Sequence, residues 1–323
     1  MDKRIAALRS IVEKEIEALN LPSEPRNLYE PVHYILRLGG KRIRPILTMM
    51  GAELMGAKAE DALHQALAVE IFHNFTLVHD DIMDRADVRR GLPTVHKKWD
   101  DNIGILSGDA MMVVAYQHLA MASPEALPKL FEVFSATALL VCEGQQKDMD
   151  YAHASNVSDE EYTEMIRCKT AVLLGGAMQL GAIVAGASDA NLKQIGVFAE
   201  DMGLAFQLRD DFLDTFGDAE SFGKDIGGDI REGKRTWLTI KAYELGSKED
   251  RKTLDTAFAN EDLEQRIKDV MSVYDRLGIK ERLQAEIERY SALSSKALDA
   301  VEGNEEVKDQ LRALVAYLMG RTS

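Results

Sequence analysis

Cysteine is nearly missing. Cys142 and Cys168 are the only two in 323 residues, and they form no spaced pair. That excludes a disulfide scaffold and points to reduced thiols of a cytoplasmic protein. Proline is scarce too, at seven, with no Pro- or Ser-rich stretch to mark a linker. A single domain over 1–323 is therefore expected. Basic charge is in deficit, with 39 Lys and Arg against 54 Asp and Glu and a net charge of −15. Non-specific nucleic-acid binding needs the opposite field, so no nucleic-acid partner is expected. Met1-Asp2-Lys3-Arg4-Ile5 has no apolar core of a signal peptide. The one long uncharged run, Thr170 to Ser188, holds Gly175, Gly176, Gly181, Gly186 and Gln179, and charged helical sequence flanks it. It reads as a buried central helix rather than a membrane span. The phosphate-loop pattern GxxxxGK[ST] is absent, as are a nucleophilic triad and a histidine or cysteine set for zinc.

What is present reads as helix almost throughout, and 46% hydrophobic residues are enough for a packed core. Ile5, Leu8, Ile11, Val12, Ile16 and Leu19 recur at helical spacing until Leu21-Pro22-Ser23-Glu24-Pro25 stops them. A second helix runs through Leu28, Val32, Ile35 and Leu36 to Gly39-Gly40. A third is expected to start at Pro45, and a long one to cover about 60–84. Further helical patterns cover roughly 103–122, 125–152, 158–186, 189–215, 235–245, 248–259, 261–276, 278–301 and 304–319. No β-alternation stands out. The expected class is all-α, a large single-domain helical bundle with the apolar helices inside.

Leu77-Val78-His79-Asp80-Asp81-Ile82-Met83-Asp84 ends the long apolar helix. Carboxylates at i, i+1 and i+4 stack Asp80 and Asp84 one turn apart, with Asp81 beside them. Like charges in that position cost about a few tenths of a kcal/mol each and ask for a cation. Hard oxygens one turn apart suit Mg²⁺, which also takes waters and phosphate oxygens. A lone triplet could be a solvated helix end. Asp210-Asp211-Phe212-Leu213-Asp214 repeats the spacing after Val197, Met202, Leu204, Ala205, Phe206 and Leu208, and two copies argue against plain surface. Six aspartates facing one cavity would raise each other's pKa, and two or three Mg²⁺ would neutralise them and bridge to a diphosphate.

Cations accompany both triplets. Gly39-Gly40-Lys41-Arg42-Ile43-Arg44-Pro45 sets three beside two glycines and a helix start, a combination that suits an anion. Arg89 and Arg90 follow the first triplet, where they could form ion pairs or fork onto a phosphate. His73 sits two turns before Asp80 on the same face, although a lone histidine on an apolar helix is more often a core residue. Asp148 ends the helix through Gly144-Gln145, Lys169-Thr170 opens the uncharged helix, and Phe206-Gln207 leads into the second triplet. Lys224 and Lys234 lie in a Gly-rich stretch after it. The chemistry this set favours is Lewis-acid-assisted departure of a diphosphate in an apolar chamber.

In this order and spacing, from about residue 39 to 235, these elements resemble those of the trans-type isoprenyl diphosphate synthases, also called polyprenyl synthetases. The C-terminal third matches only as helices. The resemblance implies a homodimer of helical subunits, each with a deep central cavity, and Mg²⁺-dependent head-to-tail joining of isopentenyl diphosphate to an allylic diphosphate. It implies that Asp80 and Asp84 hold Mg²⁺ on one side of the allylic diphosphate and Asp210 on the other. Asp81, Asp211 and Asp214 would support these shells or bind through water. Arg89, Lys169, Lys224 and Lys234 would take the allylic diphosphate. Lys41, Arg44, His73 and Arg90 would take that of isopentenyl diphosphate. Thr170 and Gln207 would turn oxygen dipoles toward the reacting carbons.

Product length follows from the side chains one turn before Asp80. Phe75 and Thr76, with Phe72 as a further candidate, would form the floor under the growing tail, about 6–8 Å along the axis. In the family, an aromatic five residues before the motif without one at four before goes with a moderately deep pocket. Geranylgeranyl diphosphate is therefore favoured, farnesyl diphosphate is next, and longer polyprenyl products are disfavoured by the bulk of Phe75. A class I terpene cyclase would also carry DDxxD, but its second metal motif is usually built on Asn or Asp with Ser or Thr and Glu.

Overall fold

The computed structural model describes residues 3–320 except 153, 155 and 218–226. The all-α expectation is borne out. By contacts along the chain, two compact units form: Met1–Ser135 with Gly176–Ile195 and Glu302–Gln310, and Ala136–Gly175 with Gly196–Val301 and Leu311–Ser323.

In the first unit, α1 (Lys3–Glu17) buries Ile5, Leu8, Val12 and Ile16, one stripe at helical spacing. Helix α2 (Arg26–Arg37) ends before Gly39 and Gly40, which take φ of 81° and 135°. Helix α3 (Ile43–Leu54) starts two residues before Pro45. Proline is tolerated there because first-turn N–H groups have no intrahelical partner. A short 3₁₀ turn (Ala59–Ala62) leads into α4 (Leu63–Met83), which carries the first triplet at its C-terminal end. Arg85 and Ala86 close α4 with N–H bonds to Ile82 O (3.2 Å) and Asp81 O (2.9 Å), a Schellman stop. Its left-handed position, usually glycine, is Arg85 at φ 53°.

Sequence periodicity missed what comes next. Val88–Arg89 (β1) pairs antiparallel with Leu92–Pro93 (β2). The two-residue loop is Arg90-Gly91, at φ 54° and 79°. Positive φ at both loop residues is the turn that matches strand twist. Two-residue strands are too short to show alternation. The one-turn α5 (Val95–Lys98) leads to α6 (Asp101–Leu119), whose first turn is capped by Asp100 Oδ1 on the Ile103 N–H at 2.8 Å. Helices α4 and α6 meet closely at two glycines. A Cβ at Gly108 would overlap the His79 ring, and one at Gly104 would stand 2.8 Å from Ile82 Cδ1.

Helix α7 (Leu127–Tyr151) carries Gly144 and Asp148. The second unit continues with α8 (Asp159–Ile166), opened by a Ser158–Glu161 capping box. One continuous helix is expected over 158–186, and the structure interrupts it. Arg167–Ala171 is a π-helical turn before α9 (Val172–Val184). Two glycines clasp this turn: a Cβ at Gly144 would overlap the Lys169 backbone, and one at Gly203 would stand 2.8 Å from Ala171 Cα. The wide turn lies at Lys169-Thr170, and such turns concentrate at functional sites. In α9, Val172, Leu173, Leu174, Ala177, Met178 and Leu180 are buried, as expected of the uncharged run. None of the described helices is long and apolar enough to cross a membrane. In the first unit, α9 meets α3 at Gly181 and Gly51, where a Cβ on either would overlap a carbonyl of the other helix.

Helix α10 (Asp189–Phe216) carries the second triplet near its end. The short α11 (Gly228–Glu232) was not expected; glycines at φ 78° and 70° bound it. Then follow α12 (Trp237–Leu245), α13 (Lys248–Ala259), α14 (Leu263–Leu277), α15 (Ile279–Asp299) and α16 (Glu305–Met319). The second unit's core draws on Leu208, Trp237, Leu254, Tyr274 and Leu283.

Candidate active site

At the end of α4, Asp80 is half-buried and Asp84 exposed, one turn apart, while Asp81 turns inward and is 1% exposed. Arg89 reaches back from β1 to Asp81. Its Nε lies 2.9 Å from both carboxylate oxygens, and Nη2 lies 2.8 Å from Oδ1. Asp80 Oδ2 is 3.9 Å from the same guanidinium. The middle carboxylate thus holds an arginine, and the outer two share the face that a helix presents at i and i+4.

Arg90 folds over the glycine turn and donates from Nη1 to Gly39 O. A Cβ at Gly40 would sit 3.0–3.2 Å from its guanidinium, and the φ of 135° there already favours glycine. Lys41 is exposed. Arg44 Nη1 lies 3.2 Å from His73 Nε2. A guanidinium only donates, so Nε2 is the acceptor and His73 carries its proton on Nδ1. Burial, and then the charges of Arg44, Arg90, Arg89 and Arg42, push the His73 pKa well below its ordinary value. Burial also brings Arg44 down to about 10. The guanidiniums of Arg44 and Arg90 near a neutral histidine suit an anion with several oxygens. His73, Arg44, Arg89 and Arg90 are therefore brought together. Arg42 is not available to a ligand: it is 5% exposed and paired with Glu70.

Upstream on α4, Phe75 is 6% and Phe72 1% exposed, with their rings 5.4 Å apart. Phe72 also meets Phe134 edge-on at 5.4 Å, and Phe75 meets the His79 ring at 4.8 Å. Thr76 donates to His73 O at 2.8 Å. Phe72 is enclosed by other aromatics, whereas Thr76 keeps partial exposure.

In the second unit, Asp210 and Asp214 are half-buried, one turn apart on α10, and Asp211 turns inward at 4% exposure. Among the described residues, Asp211 is held by neutral donors rather than an arginine. Tyr162 OH donates to Oδ2 at 2.8 Å and Gln207 Nε2 to Oδ1 at 3.2 Å. Burial pushes Asp211 up to about 7; Asp229 and Asp210 add repulsion, and the two hydrogen bonds oppose the rise. Asp214 Oδ2 accepts the Asp229 N–H at 2.9 Å. Lys234 lies 3.4 Å from Asp229 and 2.7 Å from Glu232. Burial works against the Lys234 ammonium, but the two carboxylates outweigh it and raise its pKa. Lys169 Nζ donates to Asp148 Oδ2 at 2.5 Å. Thr170 is half-buried within the π turn. Lys224 lies outside the described residues.

Periodicity and motif spacing did not single out Glu70, Asn74, Tyr162 or Asp229. Glu70 did carry a signal, as a lone charge in the apolar run Ala66–Phe72. Tyr162 and Asp229 carried none.

Among the described residues, no three acidic, histidine or cysteine groups converge on one ion. The outer pairs Asp80/Asp84 and Asp210/Asp214 nevertheless offer hard oxygens one turn apart, the donor type Mg²⁺ takes when phosphate and water complete its shell.

Comparison with known proteins agrees with this chemistry. The family model described as Polyprenyl synthetase matches residues 25–276. The geranylgeranyl diphosphate synthase of Methanosarcina mazei is 41% identical over 243 residues, 75% of either chain. A crystal structure of a geranylgeranyl pyrophosphate synthase matches with a TM-score of 0.94 at 45% identity, covering 100% of both chains. The geranylgeranyl pyrophosphate synthase of Corynebacterium glutamicum, solved with isoprenyl diphosphate and magnesium, matches with a TM-score of 0.81 at 30% identity, covering 98% of this chain and 96% of that one.

Proposed function

The chain belongs to the polyprenyl synthetase family, and from that premise we propose that it is a prenyltransferase joining isopentenyl diphosphate head to tail to an allylic diphosphate. The product is a short-chain all-trans prenyl diphosphate, with geranylgeranyl diphosphate first and farnesyl diphosphate second. Residues 1–323 act as one synthase domain. The observation that carries the reading is the repeated triplet: in both copies the outer carboxylates share one helix face, and the middle one is turned inward.

Asp80, Asp84 and Asp210, aided by Asp214, hold two or three Mg²⁺. When bound, these ions stabilise negative charge growing on the departing diphosphate. Asp81 fixes the Arg89 fork for the allylic diphosphate, and Asp148 does the same for Lys169. Lys234, kept charged by its carboxylate neighbours, serves that diphosphate with Lys224. Lys41, Arg44 and Arg90 bind the diphosphate of isopentenyl diphosphate beside neutral His73. Gln207 commits its Nε2 to Asp211, which leaves its Oε1 dipole to steady an allylic cation. Thr170 serves likewise from the π turn. Among the described residues no side chain stands out as a base, and the departed diphosphate takes the proton lost after condensation. An apolar chamber keeps water from the cation.

The exposed apolar side chains Leu106 and Val113 on α6 support a homodimer, because such side chains are better covered than solvated. Free Cys142 and Cys168 support a cytoplasmic setting. The test is diphosphate release. It should need Mg²⁺ and both substrates together. Release from an allylic diphosphate alone, with a hydrocarbon formed, would mean a cyclase. Phe75→Ala should lengthen the product, and an unchanged product removes Phe75 as the floor.

A further inference from the structure

Arg42 is the cation of the Gly39–Pro45 stretch that diphosphate binding leaves unused. Its Nη1 lies 2.5 Å from Glu70 Oε1, with the two side chains only 3% and 4% exposed. Its Nη2 donates to Leu36 O at 2.6 Å, in the last turn of α2. Its own carbonyl accepts the Ile46 N–H at the start of α3. One residue therefore ties α2, α3 and α4 together under the glycine turn. Asn74 fixes the other partner, donating to Glu70 Oε1 at 3.1 Å and to Glu70 O at 2.8 Å. Arg42 takes a left-handed backbone, φ 54°, which an L side chain rarely adopts without an anchor.

The neighbouring contacts give this anchor its purpose. Arg42 to Glu70 and Arg44 to His73 are parallel rungs from the start of α3 to α4. Lys41 precedes the first rung and Arg90 clamps the glycine turn through Gly39 O. A buried ion pair is a poor source of stability, since apolar residues of similar volume often do as well or better. Its retention here calls for a positional role.

We propose that Arg42 and Glu70 are positioning residues: their buried pair sets the Gly39-Gly40-Lys41 turn and the Arg44 rung, and so the affinity for isopentenyl diphosphate. This rests on the assignment of Lys41 and Arg44 to that substrate's diphosphate. Arg89, proposed for the allylic diphosphate, is held by Asp81 and not by this pair.

The test is a steady-state comparison of variants. Single removal of one charge would strand the other in the interior, so the informative variant is the double Arg42→Met/Glu70→Met, with Arg42→Lys beside it. Arg42→Lys keeps the charge but replaces the two-nitrogen fork that serves Glu70 and Leu36 O with a single nitrogen. Both variants should fold, with the KM for isopentenyl diphosphate raised about tenfold, and with kcat and the allylic KM within about twofold of the parent. Lys41→Ala and Arg44→Ala are the controls. If they raise the KM for isopentenyl diphosphate and the pair variants do not, the positioning role is wrong and the substrate assignment stands. If the controls leave that KM unchanged, the assignment fails and takes the positioning role with it. A uniform loss of kcat and both affinities would mean a purely structural pair and would overturn the proposal.

Discussion

The two acidic triplets are spelled alike and solve their central problem in opposite ways. In each, a middle aspartate is driven into the interior, at 1% exposure for Asp81 and 4% for Asp211. Asp81 meets a guanidinium, with Arg89 Nη2 2.8 Å from its Oδ1. Asp211 meets a phenol and an amide, which lend hydrogen bonds but no charge, and burial carries its pKa up to about 7. The same spacing therefore yields a salt-bridged clasp on Arg89 in one unit and, in the other, a raised carboxyl held by the Tyr162 hydroxyl and the Gln207 amide. A motif states which faces its carboxylates occupy, and the neighbouring elements decide what the buried one becomes.

The largest test concerns what the triplets share. Asp80→Ala and Asp210→Ala should each lower kcat by about a thousandfold, the worth of several kcal/mol of charge stabilisation. A loss below about tenfold in one alone would make that triplet idle and break the parallel.

The next sharpens the contrast through pH, in protein kept free of metal by chelator. The folded pKa of Asp211, about 7, stands above the ordinary carboxylate value. Between the two, the folded state keeps a proton that the unfolded state has lost. Stability should therefore fall as pH rises through that window, by at most about 1.4 kcal/mol per pH unit, and level off above it. Asp211→Asn should flatten that slope and unfold at a higher temperature than the parent at about pH 8. Equal slopes in parent and variant would show that Asp211 is ionised throughout.

The smallest effect belongs to the other middle residue. Asp81→Asn leaves Arg89 without its carboxylate and should cost about 1–2 kcal/mol in urea unfolding, since Arg89 is partly solvated. A gain in stability there would erase the distinction between the triplets.

The all-helical class was legible because long periodic runs such as Leu63–Met83 leave little choice of structure. The outer aspartates were legible for the same reason, since i and i+4 must share a face. The hairpin at Arg89–Leu92 was not, because two-residue strands carry no alternation and the turn depends on a left-handed arginine. The π turn was hidden as well: Lys169-Thr170 fits an α-helical pattern, and only the close approach of Gly144 and Gly203 reveals the wider turn. Tyr162 lies 49 residues from its partner Asp211, a separation at which local spacing says nothing.

The central claim is condensation to a twenty-carbon product. Purified protein would receive labelled isopentenyl diphosphate and Mg²⁺, with dimethylallyl, geranyl or farnesyl diphosphate in separate tubes, and the dephosphorylated alcohols would be sized. A twenty-carbon alcohol from all three primers is the predicted result. No elongation of any primer, with a hydrocarbon released instead, would contradict it.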